Sequence, residues 1–189
     1  MMEDCIKQYF SQLAQMYSLT DWTNVKRLGV ELLGAQNSEK KIFLCGNGGS
    51  AANADHISND WLHAGNRKSK RGLKVFSLSA NAAITTCLAN DEGYENIYSM
   101  QLEVLATKDD ILIVLSGSGN SPNVIKALEE AKKIGMTSYA MLGFDGGAAL
   151  KLADYTIHFP IDDMQISEDL QVVVGHILMK WLSDNQQLN

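Results

Sequence analysis

The sequence predicts an α/β fold, a three-layer sandwich in which helices flank a five-stranded parallel sheet. Five short apolar runs recur along the chain, and helical stretches separate them, which is typical of a parallel sheet covered on both faces. The first, third and fourth runs lead into clusters of glycine or serine, as expected where a strand turns into a helix. The predicted strands are Lys41–Cys45, Leu73–Leu78, Ile111–Leu115, Ser138–Leu142 and Tyr155–Phe159.

An N-terminal helical segment precedes the first strand. Over Ile6–Tyr17, apolar residues recur at steps of three and four, which predicts an amphipathic helix. A second helix is predicted from about Trp22 to Leu33, with Thr20 or Asp21 as its cap. A long final helix is predicted from about Gln165 to Leu182.

Length and composition indicate one globular domain over residues 1–189, in which the helices of residues 1–36 pack on the domain or on neighbouring subunits. The net charge of -6 disfavours nucleic acid as a partner, because phosphate backbones are bound by basic surfaces. No apolar run approaches the roughly 18 residues of a membrane helix, and the acidic start Met1–Asp4 does not resemble a signal peptide. The expected location is the cytoplasm, without a membrane partner.

The loop after the third strand, Ser116-Gly-Ser-Gly-Asn-Ser121, has the chemistry of a phosphate site. Its hydroxyls can donate to phosphate oxygens, and its glycines let backbone N–H groups approach an anion closely. Pro122 suits a first helical position, so the loop would aim a helix N-terminus at the phosphate. An ordinary strand-to-helix turn, in which serine and glycine are common, is the alternative.

The loop after the first strand, Gly46-Asn-Gly-Gly-Ser50, is the predicted companion of the serine loop. Its glycines permit positive φ angles, and Asn47 offers both a hydrogen-bond donor and an acceptor. Ligands of open parallel sheets bind beyond the carboxyl ends of the strands, where both loops are expected. A dinucleotide site is disfavoured, because the next strand ends in Ser77-Leu78 without the acidic residue that binds a ribose.

Two histidines and two acidic residues form a candidate metal or acid–base group. His56 and Asp60 are four residues apart and share one face of a helix. Glu168 and His176 lie on the final helix, roughly 12 Å apart along its axis, so only side chains that reach toward each other would meet at one ion. A surface ion pair for the first two and a core position for His176 are the alternatives. Two further histidines are predicted to be structural: His63 and His158.

Four segments of the chain form a series whose order and spacing are more specific than any one of them. They are Gly46-Asn-Gly-Gly-Ser-Ala51 followed by His56, Ala89-Asn-Asp-Glu-Gly-Tyr94, Ser116-Gly-Ser-Gly-Asn-Ser121 with Val124-Ile-Lys-Ala-Leu128, and Gly175-His-Ile-Leu178. This series, which covers nearly the whole chain, resembles the sedoheptulose 7-phosphate isomerases, also called phosphoheptose isomerases, of the SIS-domain family.

The resemblance implies the SIS fold, a homotetramer with active sites at subunit contacts, and one Zn²⁺ ion per subunit. It implies substrate binding by the residues that match the family's motifs: Asn47, Gly48, Gly49, Ser50, Asn90, Asp91, Ser116, Gly117, Ser118, Ser121 and Glu168. The positions implied to hold zinc are His56, Asp60, Glu168 and His176. Catalytic proton transfer is implied for three of these: Asp60, Glu168 and His176.

Two of these positions depart from the family's pattern. Asp60 stands where a glutamate is usual, and Glu168 stands where a glutamine is usual. Aspartate is one methylene shorter than glutamate, so its carboxylate would lie farther from the sugar unless the helix moves. Two carboxylates would neutralise a divalent zinc ion and strengthen its binding.

The function implied by the resemblance is aldose–ketose isomerisation of sedoheptulose 7-phosphate to D-glycero-D-manno-heptose 7-phosphate through an enediol, in heptose synthesis for lipopolysaccharide or capsule. Either Glu168 or Asp60 would take the carbon-bound proton, and His176 would move protons on oxygen. One alternative is a non-catalytic SIS module that binds a sugar phosphate or a protein partner, which needs no acid–base group. Another is an isomerase of a different phosphosugar, because the serine loop would bind the phosphate whatever the length of the sugar.

Overall fold

The computed structural model describes residues 1–64 and 72–185 of the chain. Its strands are β1 (Lys41–Gly46), β2 (Lys74–Ser77), β3 (Ile111–Ser116), β4 (Thr137–Leu142) and β5 (Tyr155–His158). All neighbouring strands are parallel, and their order across the sheet is β2-β1-β3-β4-β5. The predicted five-stranded parallel sheet is confirmed, and each predicted strand end lies within one residue of the observed end.

Helices connect the strands and precede the first of them. Those in the described part of the chain are α1 (Met2–Leu19), α2 (Thr23–Gln36), α3 (Gly49–Ala64), α4 (Ala82–Asp91), α5 (Ser99–Leu105), α6 (Pro122–Ile134), α7 (Ala149–Leu152) and α8 (Met164–Asn185). The predicted helices at residues 6–17, 22–33 and 165–182 correspond to α1, α2 and α8. The N-cap residue of α2 is Trp22, which makes no side-chain cap bond, so the predicted cap at Thr20 or Asp21 is wrong by at least one residue. Asp21 still contacts the start of the helix, because its carboxylate accepts a hydrogen bond of 2.9 Å from the Thr23 N–H.

The alternation of side chains along the central strands creates two apolar layers. In β1, Ile42 and Leu44 pack with α1, α2, α3 and α8 on one face of the sheet. Phe43 and Cys45 point to the opposite face and pack with α5, α6 and α7. Because β1, β3 and β4 are covered on both faces, their sequences are nearly continuous apolar runs. The three-layer sandwich predicted from those runs is confirmed.

The helix after the serine loop, α6, has clear signals at both ends. Pro122 is its first residue, where the missing N–H costs nothing, and Ser121 precedes it as the N-cap residue without a side-chain cap bond. Gly135 ends the helix with a left-handed φ of 85°. These signals fix the point at which the serine loop becomes a helix.

Helix α1 contacts the rest of the domain through only a small part of its surface. Met16 is its buried residue, and the Tyr9 hydroxyl donates a hydrogen bond of 2.7 Å to Asp169 on α8. Its other face carries exposed apolar side chains that include Ile6, Phe10 and Tyr17. None of the helices in the described ranges combines the length and apolar character that a bilayer crossing requires.

Candidate active site

The loops that follow β1 and β3 lie side by side, because these parallel strands are neighbours and Gly46 pairs with Leu115. Together with α8 they line a cavity of about 240 Å³. The cavity brings together nine of the predicted substrate-binding residues: Asn47, Gly48, Gly49, Ser50, Ser116, Gly117, Ser118, Ser121 and Glu168. Its position beyond the carboxyl ends of the strands is the one expected for a ligand site of a parallel sheet.

The serine loop has a conformation that depends on Gly119. This residue has a φ of 65°, and a Cβ atom added there would collide with the backbone carbonyl of Gly146. The buried Ser116 hydroxyl accepts a hydrogen bond of 3.0 Å from the Gly119 N–H, and the Gly117 carbonyl accepts one of 2.9 Å from the Gly143 N–H. These two hydrogen bonds therefore fix the loop, while Ser118 and Ser121 line the cavity.

The end of β1, just before its loop, lies very close to the end of β3. A Cβ atom on Gly46 would lie 2.7 Å from the carbonyl oxygen of Leu115, so only glycine fits between the two strands. The Tyr98 hydroxyl donates to the Gly46 carbonyl. Burial raises the pKa of Tyr98 and keeps this hydroxyl neutral as a donor.

Glu168 of α8 also lines the cavity. Its carboxylate lies directly against Gly49, the first residue of α3, where the positive end of the helix favours an anion. Asn53 of α3 donates one hydrogen bond of 2.9 Å to the Glu168 carbonyl and another of 3.0 Å to the buried side chain of Gln171. Gln171 donates in turn to the Ser50 hydroxyl at 3.2 Å. These bonds fix the N-terminal half of α8 on the N-terminal half of α3.

His56, Asp60 and His176 meet at the contact between α3 and α8. The Nε2 atoms of the two histidines are 2.9 Å apart. Asp60 Oδ2 lies 3.6 Å from His56 Nε2 and 3.4 Å from His176 Nε2. The helices approach closely at Gly175, which has no side chain. A Cβ atom there would lie 2.6 Å from Ile57 Cγ1. Each of these two residues adjoins one of the histidines in the sequence.

This group could hold a metal ion. With metal–ligand bonds of about 2.0–2.1 Å, a tetrahedral zinc ion separates its ligand atoms by roughly 3.3 Å. The three observed separations, from 2.9 to 3.6 Å, lie on either side of that value. Two imidazoles and a carboxylate are also ligands that zinc accepts, and they leave a fourth position open. Glu168, the fourth predicted ligand, is not part of this cluster.

Asn90 and Asp91 stand apart from the cavity, at the exposed end of α4. The Asn90 side chain donates to Asp91 at 2.7 Å, and Asp91 accepts a long hydrogen bond of 3.5 Å from the Cys87 thiol. The 3₁₀ turn that follows, Tyr94–Asn96, connects this segment to the cavity, because the Tyr94 hydroxyl donates to Asn47 at 2.9 Å. Substrate binding by Asn90 and Asp91 stays a prediction.

Sequence reasoning missed four residues that shape this region. Met164 lines the cavity, while Asn53 and Gln171 tie α3 to α8. Asn123 pairs with Asn47. Its position directly after Pro122, on the first turn of a helix that faces the cavity, is the sequence signal that was available for it. The other three had no signal, because each acts through a contact distant in sequence.

The fold and the site together define a SIS-domain protein, and the SIS domain family model matches residues 7–143. The chain is 37% identical over 181 residues to a phosphoheptose isomerase of Helicobacter pylori (strain P12), and the match covers 94% of each chain. It is 40% identical over 151 residues to a phosphoheptose isomerase of a Nitratiruptor species, with 80% of each chain covered. The solved structure of a phosphoheptose isomerase from Francisella tularensis covers 98% of this chain and 100% of its own, with a TM-score of 0.88 and 25% sequence identity. The chain belongs to the phosphoheptose isomerase family of SIS-domain proteins.

Proposed function

We propose that this protein is an aldose–ketose isomerase that converts sedoheptulose 7-phosphate to D-glycero-D-manno-heptose 7-phosphate. Family membership supports the reaction. The single observation that carries the proposal concerns α3 and α8. These two helices help to line the serine- and glycine-rich cavity, and they also carry the histidine–carboxylate group. Gly49 and His56 are separated by roughly 10 Å along α3, so an extended sugar phosphate can place its phosphate in the cavity and its reacting carbons near the histidines.

The cavity is the proposed phosphate site. The hydroxyls of Ser118 and Ser121 line it and can donate to phosphate oxygens, and the N-terminus of α6 adds the positive end of a helix. Binding energy gained at the phosphate then positions the distant carbons C1 and C2 for proton transfer. The serine loop therefore contributes to the rate without touching the reacting atoms.

The chemistry requires a base for a carbon-bound proton and an acid for oxygen. A carboxylate takes the proton from C1 of the ketose while the C2 oxygen receives a proton, which gives the enediol. The proton is then returned to C2, and the C1 hydroxyl loses its proton to become the aldehyde oxygen. We assign the oxygen protons to His176. Of the two candidate bases, Asp60 is favoured by its distance of 3.4 Å from His176, whereas Glu168 lies against Gly49.

We propose zinc as the ion of the metal site, one per subunit. His56, Asp60 and His176 would hold it, and Glu168 is the fourth ligand suggested by the family resemblance. When bound, the ion would act as a Lewis acid that polarises the oxygen atoms of the sugar. The Asp60 carboxylate would balance part of the charge of the ion, whereas Glu168, which lies against Gly49, would have to move to reach it.

Replacing His56 with alanine is expected to abolish stable zinc binding, because it removes one of the three clustered ligands. Zinc content can be measured by mass spectrometry after loading and desalting, and about one ion per wild-type subunit is expected. His63→Ala is the matched control, since His63 is an exposed histidine of the same helix and should leave the zinc content unchanged. Equal zinc in wild type and His56→Ala would contradict the assignment.

The activity itself is tested with purified protein, with and without added zinc, against a panel of phosphorylated ketoses of different chain lengths. We expect sedoheptulose 7-phosphate to give the highest kcat/KM, measured as aldose formation. A higher kcat/KM for a shorter sugar would make the protein an isomerase of another phosphosugar. No turnover of any member of the panel would leave a binding module as the better description.

We further propose a homotetramer located in the cytoplasm, with heptose for lipopolysaccharide or capsule as the product's destination. The exposed apolar residues of α1 support self-association, because Ile6, Phe10 and Tyr17 are solvent-exposed in a single chain. On α8, Val173 and Ile177 are exposed in the same way. Helices of residues 1–36 that pack partly on neighbouring subunits would bury these side chains.

A further inference from the structure

We propose that Asn123 is a positioning residue that fixes the side-chain amide of Asn47, so that Asn47 presents an N–H group to an oxygen atom of the ligand. The inference rests on the proposed sugar-phosphate site. Asn123 is completely buried and does not line the cavity, whereas Asn47 does. Its effect on a ligand would therefore pass through Asn47.

The orientation of the Asn123 amide is set by the backbone. Its Oδ1 atom accepts a hydrogen bond of 3.0 Å from the Val124 N–H, a group that can only donate and that it shares with the Ser121 carbonyl at 3.0 Å. The oxygen of the amide must therefore face Val124, and the Nδ2 group is left to face Asn47. An amide turned the other way would set two donors against each other in a buried place.

The orientation of Asn47 follows from that of Asn123. Asn123 Nδ2 donates to Asn47 Oδ1 at 2.8 Å, and Asn47 Nδ2 donates to Asn123 Oδ1 at 2.9 Å, which makes a reciprocal pair. Asn47 Oδ1 also accepts from the Tyr94 hydroxyl at 2.9 Å, so both of its lone pairs are used. One hydrogen of Asn47 Nδ2 is left over, and no acceptor among residues 1–64 and 72–185 is bonded to it.

The consequence for recognition is that Asn47 acts as a donor. It matches an oxygen that accepts, such as a phosphate, carbonyl or deprotonated hydroxyl oxygen, and it disfavours a group that can only donate. The reciprocal pair also joins the loop after β1 to the first turn of α6, the helix that follows β3. An amide already held in its binding orientation loses less conformational entropy when a ligand arrives.

The test is a double-mutant cycle with Asn47→Ala, Asn123→Ala and the double variant, using sedoheptulose 7-phosphate. Each single variant is expected to raise KM about 10-fold with kcat within about twofold of wild type, the loss of one hydrogen bond made in ground and transition state alike. The double variant should be no worse than Asn47→Ala, because Asn123 acts through Asn47. The control is Asn24→Ala, which removes a hydrogen bond of 2.7 Å to the Thr156 carbonyl, away from the cavity, and should keep the wild-type KM.

Independent losses that multiply to about 100-fold in the double variant would overturn the proposal. If Asn123→Ala does not fold, Asn123→Asp replaces it, since the carboxylate keeps the acceptor for Val124 but cannot donate to Asn47; an unchanged KM in folded Asn123→Asp would also overturn it. If wild-type protein binds but does not turn over the sugar, the proposed function fails, and the same cycle is run on the dissociation constant measured by calorimetry. Absence of binding to wild type would overturn both.

Discussion

Replacing His176 with alanine is expected to lower kcat about 100-fold or more, the usual contribution of a positioned acid–base group. His176 contacts both other members of the cluster, at 2.9 Å from His56 and 3.4 Å from Asp60. Its loss would remove the group proposed to move protons on oxygen and one of the three proposed metal ligands. Steady-state kinetics with sedoheptulose 7-phosphate measure the effect, and KM should change much less than kcat, because the proposed phosphate site does not include His176.

His63→Ala is the control for this experiment, since it removes an exposed histidine outside the cluster. Thermal unfolding of both variants verifies that each retains the wild-type fold. A His176→Ala enzyme that is folded and turns over at the wild-type rate would remove His176 from the mechanism. Adding excess zinc to the variant separates the two roles, because weakened metal binding can be overcome by concentration and a missing proton carrier cannot.

The second large effect is expected from Gly119→Ala, which should raise the dissociation constant for the sugar phosphate about 100-fold, equivalent to about 2.7 kcal/mol. Alanine at a φ of 65° is strained, and its Cβ would collide with the backbone carbonyl of Gly146. The serine loop must then shift away from the loop that contains Gly146. That shift moves Ser118, whose hydroxyl is assigned to the phosphate. Calorimetric titration measures the affinity.

Gly34→Ala is the matched control, because Gly34 lies within α2 and a Cβ atom there meets nothing within 4 Å. This variant should keep the wild-type affinity and gain up to about 1 kcal/mol of stability from the helix propensity of alanine. An unchanged affinity in Gly119→Ala would mean that the serine loop does not bind the phosphate. A weaker affinity in Gly34→Ala would show that the assay responds to glycine substitutions outside the site.

Features of this protein that depend on a few neighbouring residues were predictable from the sequence, whereas contacts between residues distant in sequence were not. Apolar runs predicted all five strands to within one residue at either end, because a strand buried on both faces needs apolar side chains throughout. Glycine and serine clusters predicted both loops that line the cavity, since tight turns and close backbone approach require those residues. The proposed involvement of individual side chains came from the family resemblance.

The sequence by itself determined the α/β sheet, the two loops at its carboxyl edge and the helix that starts at Pro122, because periodicity and turn chemistry act over a few residues. The tertiary structure alone decided that His176 reaches His56 while Glu168 remains at Gly49. That outcome depends on the packing of α3 against α8, where Gly175 lets two helices that are distant in sequence approach each other. The pairing of Asn123 with Asn47 also depends on tertiary structure, because the parallel strands β1 and β3 bring together segments that are distant in sequence. The spacing of the two residues along the chain does not predict this contact.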